Sequence, residues 1–194
     1  MKDKKNILML LTNGFEPDER VRKEGKCLVK NNYDVTIFCW DRSCKYKKSE
    51  IIDGIKIIRF RTGKSRIRSA FSVAFGFLKL YKKIISFVKR NGKNYEIIHC
   101  NDYDTLFLGS YLKKRMNAKM IYDSHELFFS YTNNHLLNLV FFLIEKMNLK
   151  NVDGLIHTNK KRLHFFLKKH KIKIKNKVII NNYPEKNRNF NKRK

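Results

Sequence analysis

Short apolar runs alternate with longer stretches of helical periodicity along this chain. The runs are Ile7–Leu11, Val35–Cys39, Ile55–Phe60, Ile97–Cys100, Lys119–Tyr122, Gly154–Thr158 and Lys177–Ile180. Most are β-branched or otherwise apolar at nearly every position, as in strands covered on both faces of a parallel sheet. Between them lie amphipathic stretches at Asp18–Asn31, Asp104–Met116, His135–Asn148 and Asn159–His170. The first begins with Pro17 and acidic residues, which suit a helix N-terminus, and runs out at Asn31-Asn32. Repeated strand–helix–strand units predict an α/β, Rossmann-like, doubly wound sheet. It should be mainly parallel, with about seven strands, helices on both faces and right-handed crossovers. Ile55–Phe60 follows a polar loop containing Asp53-Gly54, so it is expected to pair as a hairpin-like or edge element.

Ile67–Arg90 is a long helical pattern. One apolar stripe runs Ile67, Phe71, Ala74, Leu78, Tyr81, Ile85, Val88, and a second runs Val73, Phe77, Leu80, Ile84, Phe87. The remaining face carries Arg68, Lys79, Lys82, Lys83, Lys89 and Arg90. This suits a core-packed helix with a solvated basic face, or one resting in part on an anionic membrane surface. The apolar runs near Leu136–Ile144 and Ala70–Phe77 fall short of the roughly 20 residues of a membrane span. The N-terminal run Ile7–Leu11 is too short for a signal-peptide core and is followed at once by charged residues. A domain is expected over residues 1–184, with 185–194 a basic linker or frayed tail.

Composition adds one strong bias. Of 194 residues, 44 are Lys or Arg and 17 are Asp or Glu, a formal net charge of +27. Such a chain is drawn to polyanions: nucleic acid, anionic lipid or phosphorylated substrates. The cations are scattered through every segment with no nucleic-acid-binding motif, which makes a nucleic-acid module the alternative reading only. Hydrophobic content of 42% and 15 Phe support a packed core. The four cysteines show no CxxC spacing and are expected to be buried free thiols of a reducing, cytoplasmic setting.

Ligands of open parallel sheets bind at the carboxyl ends of the strands. Polar residues gather there: Thr12, Asn13, Gly14 and Glu16 after the first strand, and His99, Asn101, Asp102 and Asp104 at the fourth. Asp123, Ser124, His125 and Glu126 follow the fifth, Thr158-Asn159 the sixth and Asn181-Asn182 the seventh. Strand ends and helix caps favour Asn, Asp, Ser and Thr anyway, but this accounts poorly for His99, His125 and Glu126. There is no GxGxxG and no P-loop. Asp102-Tyr103-Asp104 matches a DxD pattern, with Asp104 better placed to open a helix than to hold a metal. His99, His125 and Glu126 lack recognised metal-ligand spacing, and no metal is expected.

Three segments resemble one family. ILMLLTNGFEPDERVRKEGKCLVKNNYDVTIFCWDR is similar to the start of family-4 glycosyltransferases of the GT-B fold. IIHCNDYDTLFLGSYLKKRMNAKMIYDSHELF resembles that family's His-x-His-Asp strand end and Tyr-Asp-Ser-His-Glu segment. VDGLIHTNKKRLHFFLKKHKIKIKNKVIINNYP resembles the last strand–helix–strand before the crossover to a second domain. The resemblance implies the N-terminal, acceptor-side half of a retaining, metal-independent enzyme. Its acceptor would be a glycan or lipid-linked sugar. The nucleotide-sugar would be a co-substrate held by a second domain, and no other cofactor is implied. It places Asp102, His99 and Asn101 at catalytic positions and Asn13 and Gly14 beside the donor diphosphate. Glu16, Arg20, His125 and Glu126 would lie on the acceptor side.

Two departures stand out. The family's second histidine is Asn101, which can orient a hydroxyl but cannot act as acid or base. The chain also ends where the donor domain should begin, so it is expected to be inactive alone. A fragment or truncated member is the first expectation. A separate donor-domain chain is a further expected partner, in a split transferase or beside a non-catalytic subunit. The expected location is cytoplasmic, or peripheral on the inner face of an anionic membrane.

Overall fold

The computed structural model describes residues 4–16, 18–63, 70–127 and 135–181, apart from the side chains of 70–74. In chain order the elements are β1 (Asn6–Leu11), α1 (Glu19–Lys30), β2 (Asp34–Trp40), β3 (Ser49–Ile52), β4 (Ile55–Phe60), α2 (Ala70–Asn91) and β5 (Ile97–Asn101). After a 3-10 turn at Tyr103–Thr105 come α3 (Leu106–Met116), β6 (Lys119–Ser124), α4 (His135–Leu149), β7 (Gly154–His157), α5 (Lys160–His170) and β8 (Asn176–Ile179). The strands form one sheet in the order β3-β4-β2-β1-β5-β6-β7-β8. All neighbours are parallel except β3 and β4.

The sheet therefore has eight strands where about seven are expected. The additional one is β3, which pairs antiparallel with β4 through Glu50↔Ile57. Its Ser49-Glu50-Ile51-Ile52 has two apolar residues and an exposed Ile51, too weak a pattern for a buried run. The β3–β4 hairpin turns at Asp53-Gly54, with φ of 51° and 79°. Two successive left-handed residues match the twist of a two-residue hairpin, and Asp-Gly tolerates them.

Period-two alternation sorts the apolar strands into two cores. Leu8, Leu10, Phe38, Trp40, Ile98, Cys100, Met120 and Tyr122 point to the face covered by α2, α3 and α5. Ile7, Met9, Leu11, Val35, Ile37, Cys39, Ile55 and Ile57 point to the face where Val21 of α1 packs. On α2 the inward stripe is Leu80, Ile84 and Val88, with Lys79, Lys82, Lys83, Lys89 and Arg90 in solvent. Leu78, placed in an apolar stripe by periodicity, is exposed. The side chains of Ile67, Arg68, Phe71, Val73 and Ala74 lie outside the described residues.

Cys39 and Cys100 are buried as expected, but Cys27 lies on the solvent side of α1 and is exposed. It falls two residues after Gly25, which packs inward, so the helical turn carries it off the buried face. Asn182, Pro184 and the basic tail 185–194 lie outside the described residues.

Candidate functional site

The sheet reverses its winding direction between β1 and β5. β1 leads by α1 to β2 on one side, and β5 leads by α3 to β6 on the other. Loops diverge from such a point and leave a crevice at the carboxyl ends of the strands. The residues that follow β1, β5 and β6 meet there.

Asp102 sits at the centre with φ 63° and ψ 170°, a backbone conformation that costs a non-glycine residue about 1–3 kcal/mol. Contacts on every side hold it. Its N–H donates to the Asp123 carbonyl at 3.0 Å, and its carbonyl accepts from Thr105 Oγ1 at 3.0 Å. Arg20 Nη2 lies 3.3 Å from its Oδ2, and the His125 backbone N–H points to its Oδ1 at 3.4 Å. The carboxylate stands at the strand end beside Arg20, and its side chain keeps 27% of its exposure.

Beneath it lies a buried charge network. Asp123, fully enclosed, bonds His125 Nε2 through Oδ2 at 2.7 Å. Arg20 Nε and His99 Nε2 each stand 4.0 Å from that same oxygen. Glu24, one turn beyond Arg20 on α1, brings Oε2 to 3.9 Å from His99 Nε2. Burial, reinforced by Asp123, pushes Glu24 up to about 8, so it carries its proton at neutral pH. Burial also works to raise Asp123, but the His125 hydrogen bond and the neighbouring His99 and Arg20 outweigh it and hold it low. Burial lowers His99 against the attraction of Asp123. Asp102 is raised by burial against the pull of Arg20 and His125.

The donor atoms of Glu24, His99 and Asp123 lie within 4.8 Å of one another. Ligands around a tetrahedral transition-metal ion stand about 3.4 Å apart. The Arg20 cation, with Nε 4.0 Å from the same Asp123 oxygen, opposes a metal ion there.

A neighbouring groove of about 230 Å³ opens beside the β1 loop, lined by Thr12, Asn13, Gly14, Glu16, Trp40, Arg42 and Tyr46 among others. Its loops are fastened from below. Arg59 Nε donates to the Gly14 carbonyl at 2.8 Å, and the Tyr46 hydroxyl donates to the Glu16 carbonyl at 3.1 Å. Asn13 spends its amide locally, donating to Asp18 Oδ2 and accepting from the Phe15 N–H. Buried Asp41 gathers Arg61 Nε, Ser43 Oγ and the Lys45 and Tyr46 N–H groups, which fixes the loop after β2. Arg42 stacks its guanidinium 4.1 Å over the Trp40 ring. Burial lowers it against the attraction of Asp104, and its Nε is without a hydrogen-bond partner among the described residues. Asp104 joins groove to network: Thr12 Oγ1 donates to its Oδ2 at 2.5 Å, and burial pushes it up to about 6.

The structure thus brings Arg20, His99, Asp102 and His125 together. Asn101 is enclosed, its Nδ2 donating to the Leu10 carbonyl at 3.0 Å, so it braces β1 against β5. His99 is enclosed too and faces α1, since alternation along β5 directs residues 97, 99 and 101 away from Ile98 and Cys100. Neither side chain reaches the open crevice. Glu126 is exposed just beyond His125, and Glu16 is exposed at the groove edge. Thr158 follows β7, and Arg162 of α5 donates to the His125 carbonyl at 2.8 Å.

Sequence reasoning missed Glu24 and Arg42 as site residues. Glu24 stands four residues after Arg20, hence on the same helix face, which was the available signal. Arg42 had none beyond its place after β2.

A family model described as "Glycosyl transferase 4-like" matches residues 25–159, well over half of the chain. No curated protein matches. Among solved structures, a sucrose-phosphate synthase from Thermosynechococcus elongatus has a TM-score of 0.69 at 17% identity, covering 91% of this chain and 88% of that one. The catalytic domain of Starch Synthase IV from Arabidopsis thaliana, bound to ADP and acarbose, has a TM-score of 0.64 at 14% identity, covering 91% and 51%. Anabaena HepE in complex with UDP has a TM-score of 0.58 at 12% identity, covering 91% and 44%. The chain therefore spans about half the length of the last two. At these identities the likeness establishes a shared Rossmann-like fold, that of GT-B glycosyltransferases. Fold, strand-end crevice and family match agree: this chain belongs to the glycosyl transferase 4-like family.

Proposed function

We propose that this chain is the acceptor-binding half of a retaining, metal-independent glycosyltransferase, moving sugar from a nucleotide-sugar to a glycan or lipid-linked acceptor. The observation that supports it most is Asp102. A strained, part-exposed carboxylate at the sheet's switch point, held by Arg20 and backed by Asp123 and His125, is costly to keep without a ligand to orient. It accepts a hydrogen bond from the acceptor hydroxyl that is to be glycosylated. His125 and Glu126 border the same opening. The Gly14 loop and Arg42 face the donor diphosphate, where a guanidinium with donors to spare suits phosphate oxygens.

HepE binds UDP and the starch synthase binds ADP; the donor here is a nucleotide-sugar of the same kind. Its binding falls to a second Rossmann-like half, in the same protein or as a separate chain. Transfer needs both substrates in near-attack geometry, so this half alone is inactive. Among the described residues no helix is long and apolar enough to cross a membrane; the enzyme works from the cytoplasm as a peripheral protein on an anionic bilayer.

The test is sugar transfer by this chain joined to, or mixed with, a donor-binding half. Asp102→Ala and Glu126→Ala should each cut transfer. Transfer at the wild-type rate by both variants removes the site from this reading.

A further inference from the structure

The best unexplained surface is the outer side of α4. Leu136, Val140, Leu143 and Met147 recur at helical spacing along one line, and all are exposed, Leu136 by 70% and Met147 by 66%. Leu139 and Ile144 flank the line and are exposed as well. The opposite side of α4 is conventionally packed. Glu145, Asn148 and Leu149 are buried, and Phe141 meets Tyr103 with ring centroids 5.4 Å apart. A helix apolar on both sides is expected inside a protein or a lipid layer, and an exposed apolar patch this continuous marks an interaction site.

The charges around it are all of one sign. Glu145 is the only acidic residue of α4 and α5, and it is buried against the Tyr122 hydroxyl and His170. Lys146 flanks the stripe, and Lys168, Lys169 and Lys171 stand across from it. Between α4 and α5 runs a groove of about 630 Å³ whose floor includes Leu139, Phe142 and Phe165 and whose rim includes those three lysines. The ammonium groups of Lys146 and Lys169 lie 5.7 and 6.0 Å from the Phe142 ring centre.

We infer that the α4 face, with the lysine-rimmed α4–α5 groove beside it, docks flat on an anionic phospholipid bilayer. The apolar stripe enters the acyl boundary while the lysines meet headgroup phosphates. Charge selects this occupant. A second copy docked face to face would set lysine rim against lysine rim, whereas an anionic bilayer neutralises it. On α2, Leu80, Ile84 and Val88 are spent in the core, and Phe75 and Leu78 are its exposed large apolar residues among those described, a smaller patch than that of α4. The inference extends the membrane part of the proposed function. It rests on that part and is read without donor, acceptor or transfer, so the sugar-transfer reading can fail while this one stands, and a triple variant that binds like wild type overturns the α4 face alone.

The test is co-sedimentation of the full chain with vesicles. One set is phosphatidylcholine alone, and the other holds phosphatidylglycerol and phosphatidylcholine in about equal parts. Binding should be strong to the anionic set, weak to the neutral set, and weakened by salt. The triple substitution Leu136→Ser, Val140→Ser, Leu143→Ser should cut anionic-vesicle affinity about a hundredfold without lowering the melting temperature. Lys168→Glu with Lys169→Glu should weaken binding to anionic vesicles only. The inference is overturned if wild type ignores both vesicle types or if the triple variant binds like wild type. It is overturned equally if wild type is a dimer that the triple variant converts to monomer.

Discussion

Glu24 offers a prediction whose size follows from its surroundings. Its carboxyl is enclosed beside Asp123 and His99, with ordinary value 4.5 and folded value about 8. In the unfolded chain it releases its proton near 4.5; in the native protein it keeps it. Between these values the native state binds more protons than the unfolded state, so stability falls as pH rises. The slope for one such group is about 1.4 kcal/mol per pH unit. Taken over the whole interval this sets a ceiling of roughly 4–5 kcal/mol. Asp123, held low, is ionised in both states above about pH 5 and adds no slope, so from pH 5 to pH 8 the Glu24 contribution has a ceiling of roughly 3–4 kcal/mol. Glu24→Gln keeps the shape and removes the proton. Urea unfolding of both proteins at intervals across this range should show the variant gaining on wild type steadily as pH rises. Parallel stability profiles for the two proteins would refute the assignment of a buried, protonated Glu24.

Glu145→Ala should lower unfolding free energy by about 3 kcal/mol in urea, because it strands the Tyr122 hydroxyl and the buried His170 that Glu145 bridges at 2.6 and 2.8 Å. Gly109→Ala should cost about 2 kcal/mol, since a Cβ there would stand 2.1 Å from Cys100 Sγ; adding Cys100→Ala should recover part of the loss in the same urea titration. In the transferase completed by a donor-binding half, Arg42→Ala should raise the KM for nucleotide-sugar about tenfold, with kcat changed less, while Arg42→Lys should recover only part of the affinity.

The doubly wound sheet was legible because its strands are apolar at nearly every position and its helices carry regular stripes. β3 escaped because an edge strand needs no second apolar face, and Ser49-Glu50-Ile51-Ile52 supplies little pattern. The convergence at the strand ends was also legible, since parallel topology forces it. What the sequence hid is which way each polar side chain turns. His99 and Asn101 carry the family-like pattern, yet alternation along β5 encloses both under α1. Asp123 and Glu24 become partners only because α1 lies across the sheet, a non-local fact. Cys27 looked apolar by company but occupies the outer side of its helix. The apolar run of α4 was visible, but its exposure depends on how little of the fold covers it.

The central claim is that the crevice around Asp102 holds the acceptor, and this half should do so without any donor domain. Amide chemical shifts of the isotope-labelled chain, followed during titration with glycan acceptors, test it most directly. The account predicts shifts concentrated at Glu16, Arg20 and residues 102–105 and 124–126, and their loss in Asp102→Ala. Shifts confined to other surfaces, or the same shifts in Asp102→Ala, would contradict it.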